Sequence, residues 1–276
     1  MSFLNQQPKN SNATPIRWSL GLIAFTLLFG CTSPAPTPIC PTLETSLPIL
    51  GESEHFSIRA LPPGVDAARI LSEIETTMTA VANWLGPLEK SNRIHLFANL
   101  PQATGEEKNS GHFFPKENIL TLTGDPKDER FWDILRHEAA HAALRQCGIN
   151  SPPFWLDEGI ATLFEAGTDL EKIQNNPRRR PLALYLLNRR GGLHLSSILT
   201  QSQPRSKNGV AYTKAWSVLL VLYLHHTDET AQAIRTTPNL IPFPAERIGL
   251  PPKKAGIRAL EKEIHQTLQS PRDDSI

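Results

Sequence analysis

Two histidines four residues apart, with a glutamate following the first, are the residues of this chain best suited to chemistry: His137-Glu138-Ala139-Ala140-His141. On a helix, positions i and i+4 share one face one turn apart, so both imidazoles can present a ring nitrogen to a single Zn2+. Glu138 then stands beside the coordination position left open, where a carboxylate can take a proton from bound water. The plain alternative is a pair of surface histidines on an amphipathic helix.

The elements that must carry these residues can be read from periodicity. Asp128 to Gln146 has the pattern of a helix closed by Gly148, and a second helix starts near Trp155 after Pro152-Pro153 and runs to about Ala166. Upstream, His55-Phe56-Ser57-Ile58-Arg59 alternates as a half-buried strand does. Ile70, Leu71, Ile74, Met78, Val81 and Leu85 recur at helical steps up to Gly86-Pro87. Further strands are expected over 93–98 and 118–123, with a turn region at Gly111 to Pro115. Past Gly167 the segments 182–188, 193–200, 212–226, 229–236 and 254–269 read as helices. The expected fold class is therefore α+β: residues 54–170 form an α/β lobe with the two central helices, and 171–270 an α-helical lobe.

In a second segment, Trp155-Leu156-Asp157-Glu158-Gly159-Ile160-Ala161, Glu158 follows His141 with sixteen residues between them. The segment resembles the WLxEGxA segment of gluzincin metallopeptidases, in which a glutamate on the following helix is the third zinc ligand. The resemblance implies His137, His141 and Glu158 as ligands of one Zn2+ per chain, with Glu138 as general base. Two histidines and one carboxylate are a catalytic set, because three protein ligands leave a place for water. Gly159 is expected to let the two helices approach closely.

A third segment, Ala211-Tyr212-Thr213-Lys214-Ala215-Trp216, resembles the Tyr-bearing helix start found downstream in zinc aminopeptidases and peptidase MA-like domains. There the phenol donates to the oxyanion of the tetrahedral intermediate; a core or rim aromatic is the simpler role for Tyr212. Together the three segments resemble the peptidase MA-like gluzincins over about residues 54–236, which implies a thermolysin-like catalytic domain. One departure concerns Gly111 to Asn118. Glu117-Asn118 matches the end of the aminopeptidase GxMEN segment, but the spacing from Gly111 does not, so exopeptidase specificity is not implied. The strand at 118–123 is the expected edge for an extended peptide. Thr162 and Glu165 are candidates for holding an imidazole N–H from behind, with Thr162 the better placed. Arg178-Arg179-Arg180 reads as a solvated basic patch, and His112 as an exposed loop residue.

The first 30 residues resemble an export signal rather than part of the fold. Lys9 and Arg17 precede an apolar run from Trp18 to Phe29, and Leu28-Phe29-Gly30-Cys31 resembles the lipobox of bacterial lipoproteins. The resemblance implies cleavage before Cys31 and acylation of that residue, which anchors a soluble domain to a membrane. Residues 31–53, with Pro34, Pro36, Pro38, Pro41 and Pro48, suit an extended tether. Cys40 and Cys147 remain, and a disulfide between them is left open. A formal charge of +1 gives no electrostatic footprint for nucleic acid. The expectation is thus a zinc-dependent peptidase of the bacterial cell envelope, lipid-anchored and acting on peptide or protein, on the outer membrane where there are two. The rivals are a non-catalytic peptidase-like lipoprotein binding zinc or peptide in envelope assembly, a zinc-free structural lipoprotein, and a zinc hydrolase of cell-wall peptide.

Overall fold

A computed structural model describes residues 47–62, 64–88, 93–98, 110–189, 192–204, 208–237 and 240–269. Cys31, Cys40, the export signal and most of the expected tether lie outside the described residues. The architecture is α+β, with a five-stranded mixed sheet and helices packed on it. The strands are β1 (Gly51–Glu52), β2 (Phe56–Ala60), β3 (Ile94–Ala98), β4 (Ser110–Phe114) and β5 (Ile119–Thr123), in the spatial order β1-β2-β3-β5-β4. The three inner strands are parallel neighbours, while β1 and β4 run antiparallel at the two edges.

Parallel β2 and β3 need a crossover, and α1 (Ala67–Leu85) supplies it. Its N-cap is Asp66, whose carboxylate accepts from the Ala68 N–H, a contact that stabilises a helix end by ~1 kcal/mol. Ile70, Ile74, Met78, Val81 and Leu85 fall on one face and are buried. Burying each such side chain contributes about 1.5–3 kcal/mol relative to exposure. That face packs on α2 (Glu129–Gln146), capped by Asp128 and ended by Gly148 at φ 81°.

Two expectations about the sheet fail here. Gly111 to Pro115 is not a turn region: Ser110–Phe114 is a strand paired with β5, and the turn comes later, at 115–118. Glycine and histidine hide the alternation, but Phe113 is buried and His112 exposed, as a half-buried strand requires. In consequence Ile119–Thr123 lies inside the sheet between β3 and β4, and β4 is the edge on that side among the described residues. Glu117 is exposed in the turn, beside Asn118 at φ 52°.

The remaining helices are α3 (Phe154–Phe164), α4 (Leu170–Gln174), α5 (Arg180–Leu187), α6 (Ser196–Leu199), α7 (Gly209–His225), α8 (Thr227–Thr236) and α9 (Lys253–Gln269), with a 3-10 turn at Ala245–Ile248. The helix expected over 193–200 is only the single turn α6. One hydrophobic core runs through the whole described chain, from Phe56 to Leu268. Helix α3 is its centre, lying between α2 and α7.

Gly159 makes the α3–α7 contact possible. A Cβ there would stand 2.5 Å from Leu219 Cδ2 and 3.1 Å from the Ala215 carbonyl oxygen. The close approach it permits is therefore toward α7, not toward the His-bearing helix α2. Gly159→Ala is expected to overpack this contact and destabilise the fold by about 1–3 kcal/mol. Chemical denaturation of the two proteins checks this, and an unchanged midpoint would refute the packing role.

Candidate metal centre

Helix α2 packs closely around its histidines through a run of alanines. Ala139, Ala140, Ala142 and Ala143 are fully buried, so α1, the sheet and α3 close around it. His137 and His141 then project side by side, with their Nε2 atoms 3.3 Å apart. Glu158, on the middle turn of α3, places Oε2 3.4 Å from His137 Nε2 and 3.5 Å from His141 Nε2. The three side chains offer ligand atoms that all lie within 4.8 Å of one another, and among the described residues they are the group that could hold a metal ion. Each of the three remains about one-seventh exposed, so the cluster opens to solvent on one side.

The donor set fits a divalent metal. Burial by itself would push both imidazoles toward neutrality, yet the Glu158 and Glu165 carboxylates hold His137 up to about 9. His141 is likewise held well above its ordinary value, against burial, by Asp157 and Glu158. Glu158, despite its own burial, is held well below the carboxylate range by the two histidines. The pocket thus draws positive charge to the point where the three ligand atoms meet. Protons supply that charge in the bare chain, and a cation can replace them.

Each imidazole is also backed from behind. His141 Nδ1 is 2.8 Å from Asp157 Oδ1, and the Arg145 Nη2–H group donates to Asp157 Oδ2 at 3.3 Å. His137 Nδ1 is 3.6 Å from Glu165 Oε2. Glu165, at the end of α3, accepts from Arg179 through both carboxylate oxygens, at 2.8 and 3.0 Å, and from Asn176 Nδ2 at 3.0 Å. Its carboxyl is lowered to about 2, because Arg179 and His137 outweigh the burial that would raise it. Carboxylates behind histidine ligands fix the ring orientation and raise ligand basicity.

Thr162 does not share this role. Its hydroxyl donates back to the Glu158 carbonyl along α3, which leaves the imidazoles to the two carboxylates. The expected solvated patch is corrected as well: Arg179 is bound to Glu165, Arg178 pairs with Asp133 at 2.9 Å, and Arg180 donates to the Leu268 carbonyl.

Glu138 and Tyr212 flank the cluster. Glu138 is buried against β4, where a Cβ on Gly111 would stand 2.9 Å from its Cγ and 3.4 Å from its Oε1. The edge strand can lie this close to the carboxylate only because Gly111 lacks a side chain. Tyr212 sits in the first turn of α7, whose N-cap Asn208 accepts from the Ala211 N–H. Its ring lies 6.5 Å from the His137 ring and packs edge-on against Phe154 at 5.6 Å. Sequence reasoning missed Asp157, Arg145, Asn176 and Arg179. For Asp157 the available signal was its place beside Glu158.

A family profile described as "Protein of unknown function (DUF1570)" matches residues 133–244, a span that contains His137, Glu138, His141, Glu158 and Tyr212 but not strand β4. No curated protein matches the chain.

Two outcomes are expected. Bound metal must displace the protons held by His137, up to about 9, and by His141, well above its ordinary value, so apparent metal affinity should rise with pH throughout the range below about 9. A pH-independent affinity from chelator competition would contradict this. Asp157→Asn should weaken metal binding by about 10–100-fold while the fold persists, as titration calorimetry with circular dichroism can show.

Proposed function

We propose that this chain is a zinc-dependent peptidase of gluzincin type, with a thermolysin-like catalytic domain. The observation that carries the reading is the meeting of His137 Nε2, His141 Nε2 and Glu158 Oε2 within 3.5 Å of one another, beside Glu138 and the edge strand. Two imidazoles and a carboxylate are the donor set that suits zinc and leaves a coordination position for water. When bound there, zinc supplies Lewis acidity, polarising a carbonyl and lowering the pKa of water.

The remaining work falls to the chain's own residues. Glu138 accepts a proton from the attacking water at its carboxylate as the C–O bond forms, and then returns it to the amide nitrogen so that the C–N bond breaks and the amine leaves. Its buried place against Gly111 keeps bulk water from that carboxylate. Tyr212, entering from α7, donates its hydroxyl hydrogen to the carbonyl oxygen as negative charge develops there. The edge of β4, outermost among the described residues, supplies backbone groups to an extended peptide, running it past Glu138. Asp157 and Glu165 hold the imidazoles in place during this exchange.

The anchoring proposal is independent of the site. Cys31 as a lipidated residue would tether the domain to the bacterial envelope, with peptide or protein as the substrate. Among the described residues no helix is long and apolar enough to cross a membrane.

Metal content and cleavage of casein or a mixed peptide pool test the reading. The wild-type chain is expected to carry one zinc and to cleave. Glu138→Gln should keep the zinc and lose turnover, and Tyr212→Phe should slow turnover by about 10–1,000-fold with zinc retained. Zinc without cleavage in the wild type would favour a peptidase-like binding protein, and full activity in Glu138→Gln would overturn the mechanism.

A further inference from the structure

We infer that Arg179 is a positioning residue of this site: its guanidinium clamps Glu165 behind His137 and braces the ring of Tyr212, holding a metal ligand and the phenol in one frame. This rests on the metal-dependent function proposed above. The clamp has a geometry that only a guanidinium supplies. Nε and Nη2 donate in parallel to the two oxygens of Glu165, at 2.8 and 3.0 Å, as a fork meets a carboxylate. Asn176 donates to the same carboxylate at 3.0 Å, so Glu165 has little freedom to swing away from His137 Nδ1.

The other contact of Arg179 runs sideways. Its Cζ lies 5.7 Å from the centroid of the Tyr212 ring, within the range of attraction between a cation and an aromatic face. Tyr212 in turn lies beside His137. The four residues His137, Glu165, Arg179 and Tyr212 therefore form a closed ring of contacts. They come from four separate elements: α2, the end of α3, the start of α5 and the first turn of α7. Arg178 pins the adjoining backbone to Asp133, one helical turn before His137 on α2. Asn176 Oδ1 accepts from the Arg178 and Arg179 N–H groups, which fixes the direction in which the two side chains part. Neighbouring arginines on one strap thus grip the metal-bearing helix directly and through Glu165.

Zinc affinity of the purified full-length protein, read by competition with a chromophoric chelator, tests this without reference to activity. Arg179→Met is expected to lose affinity by about 10–100-fold, with circular dichroism unchanged. Arg179→Lys should recover part of the loss, since an ammonium keeps the charge but not the fork. The double variant Arg179→Met/Glu165→Gln should bind no more weakly than the weaker single variant, because one residue acts through the other. Losses in Arg179→Met/Asp157→Asn should multiply, because these serve different imidazoles. In peptide cleavage, Arg179→Met should lower kcat more than it changes KM, as loss of the brace on Tyr212 requires.

A folded Arg179→Met protein with wild-type zinc affinity would overturn the inference, as would multiplying losses with Glu165→Gln or full recovery in Arg179→Lys. If Arg179→Met does not fold, Arg179→Lys and Glu165→Gln carry the same comparison. A wild type that binds zinc without cleaving peptide defeats the peptidase reading and leaves these affinity ratios decisive for Arg179. A wild type that binds no zinc overturns both.

Discussion

The constraint on which the rest depends is the crowding of two imidazoles and one carboxylate into a space a few ångströms wide and mostly shielded from water. Three lone-pair donors at such distances are stable only with positive charge among them. The surroundings are built to that demand. Asp157 hydrogen-bonds the far side of one ring and Glu165 pairs with the far side of the other, and Arg145 and Arg179 compensate those carboxylates in their turn. Around the two imidazoles the charges therefore alternate outward, cation, anion, cation.

Supporting that alternation takes geometry from distant parts of the chain. The alanines of α2 let α3 close on it, and Gly159 lets α7 close on α3. Gly111 lets the edge strand pass under Glu138. At each place the absence of side-chain volume brings a chemical group into range, so small residues shape the site as much as charged ones.

Local pattern made part of this legible in the sequence. The i, i+4 histidines announce their own geometry, because one helical turn decides it, and α1, α2 and α7 follow from periodicity and caps. Glu158 is different: nothing local marks it as a partner of His137, and only the likeness of its segment to gluzincins pointed there. Glu165 was a weaker candidate than Thr162 on spacing alone, yet Thr162 is drawn to the α3 backbone and Glu165 lies past the helix end, where it can turn inward. Arg179 looked like part of a solvated run because three adjacent arginines suggest one fate, and the fold gives them three. Strand β4 is hidden by its glycine and histidine, of which Gly111 makes room for Glu138.

Helix α3 has a consequence for how the centre comes together in time. It is buried on nearly every side, and it carries Glu158 and Asp157 on one end-to-end run with Glu165 at its close. A nascent chain with only α2 formed has two imidazoles on a helix turn and no third donor. The third donor arrives when α3 is swallowed between α2 and α7, which is the same event that completes the core. The third ligand thus depends on the same packing that completes the core.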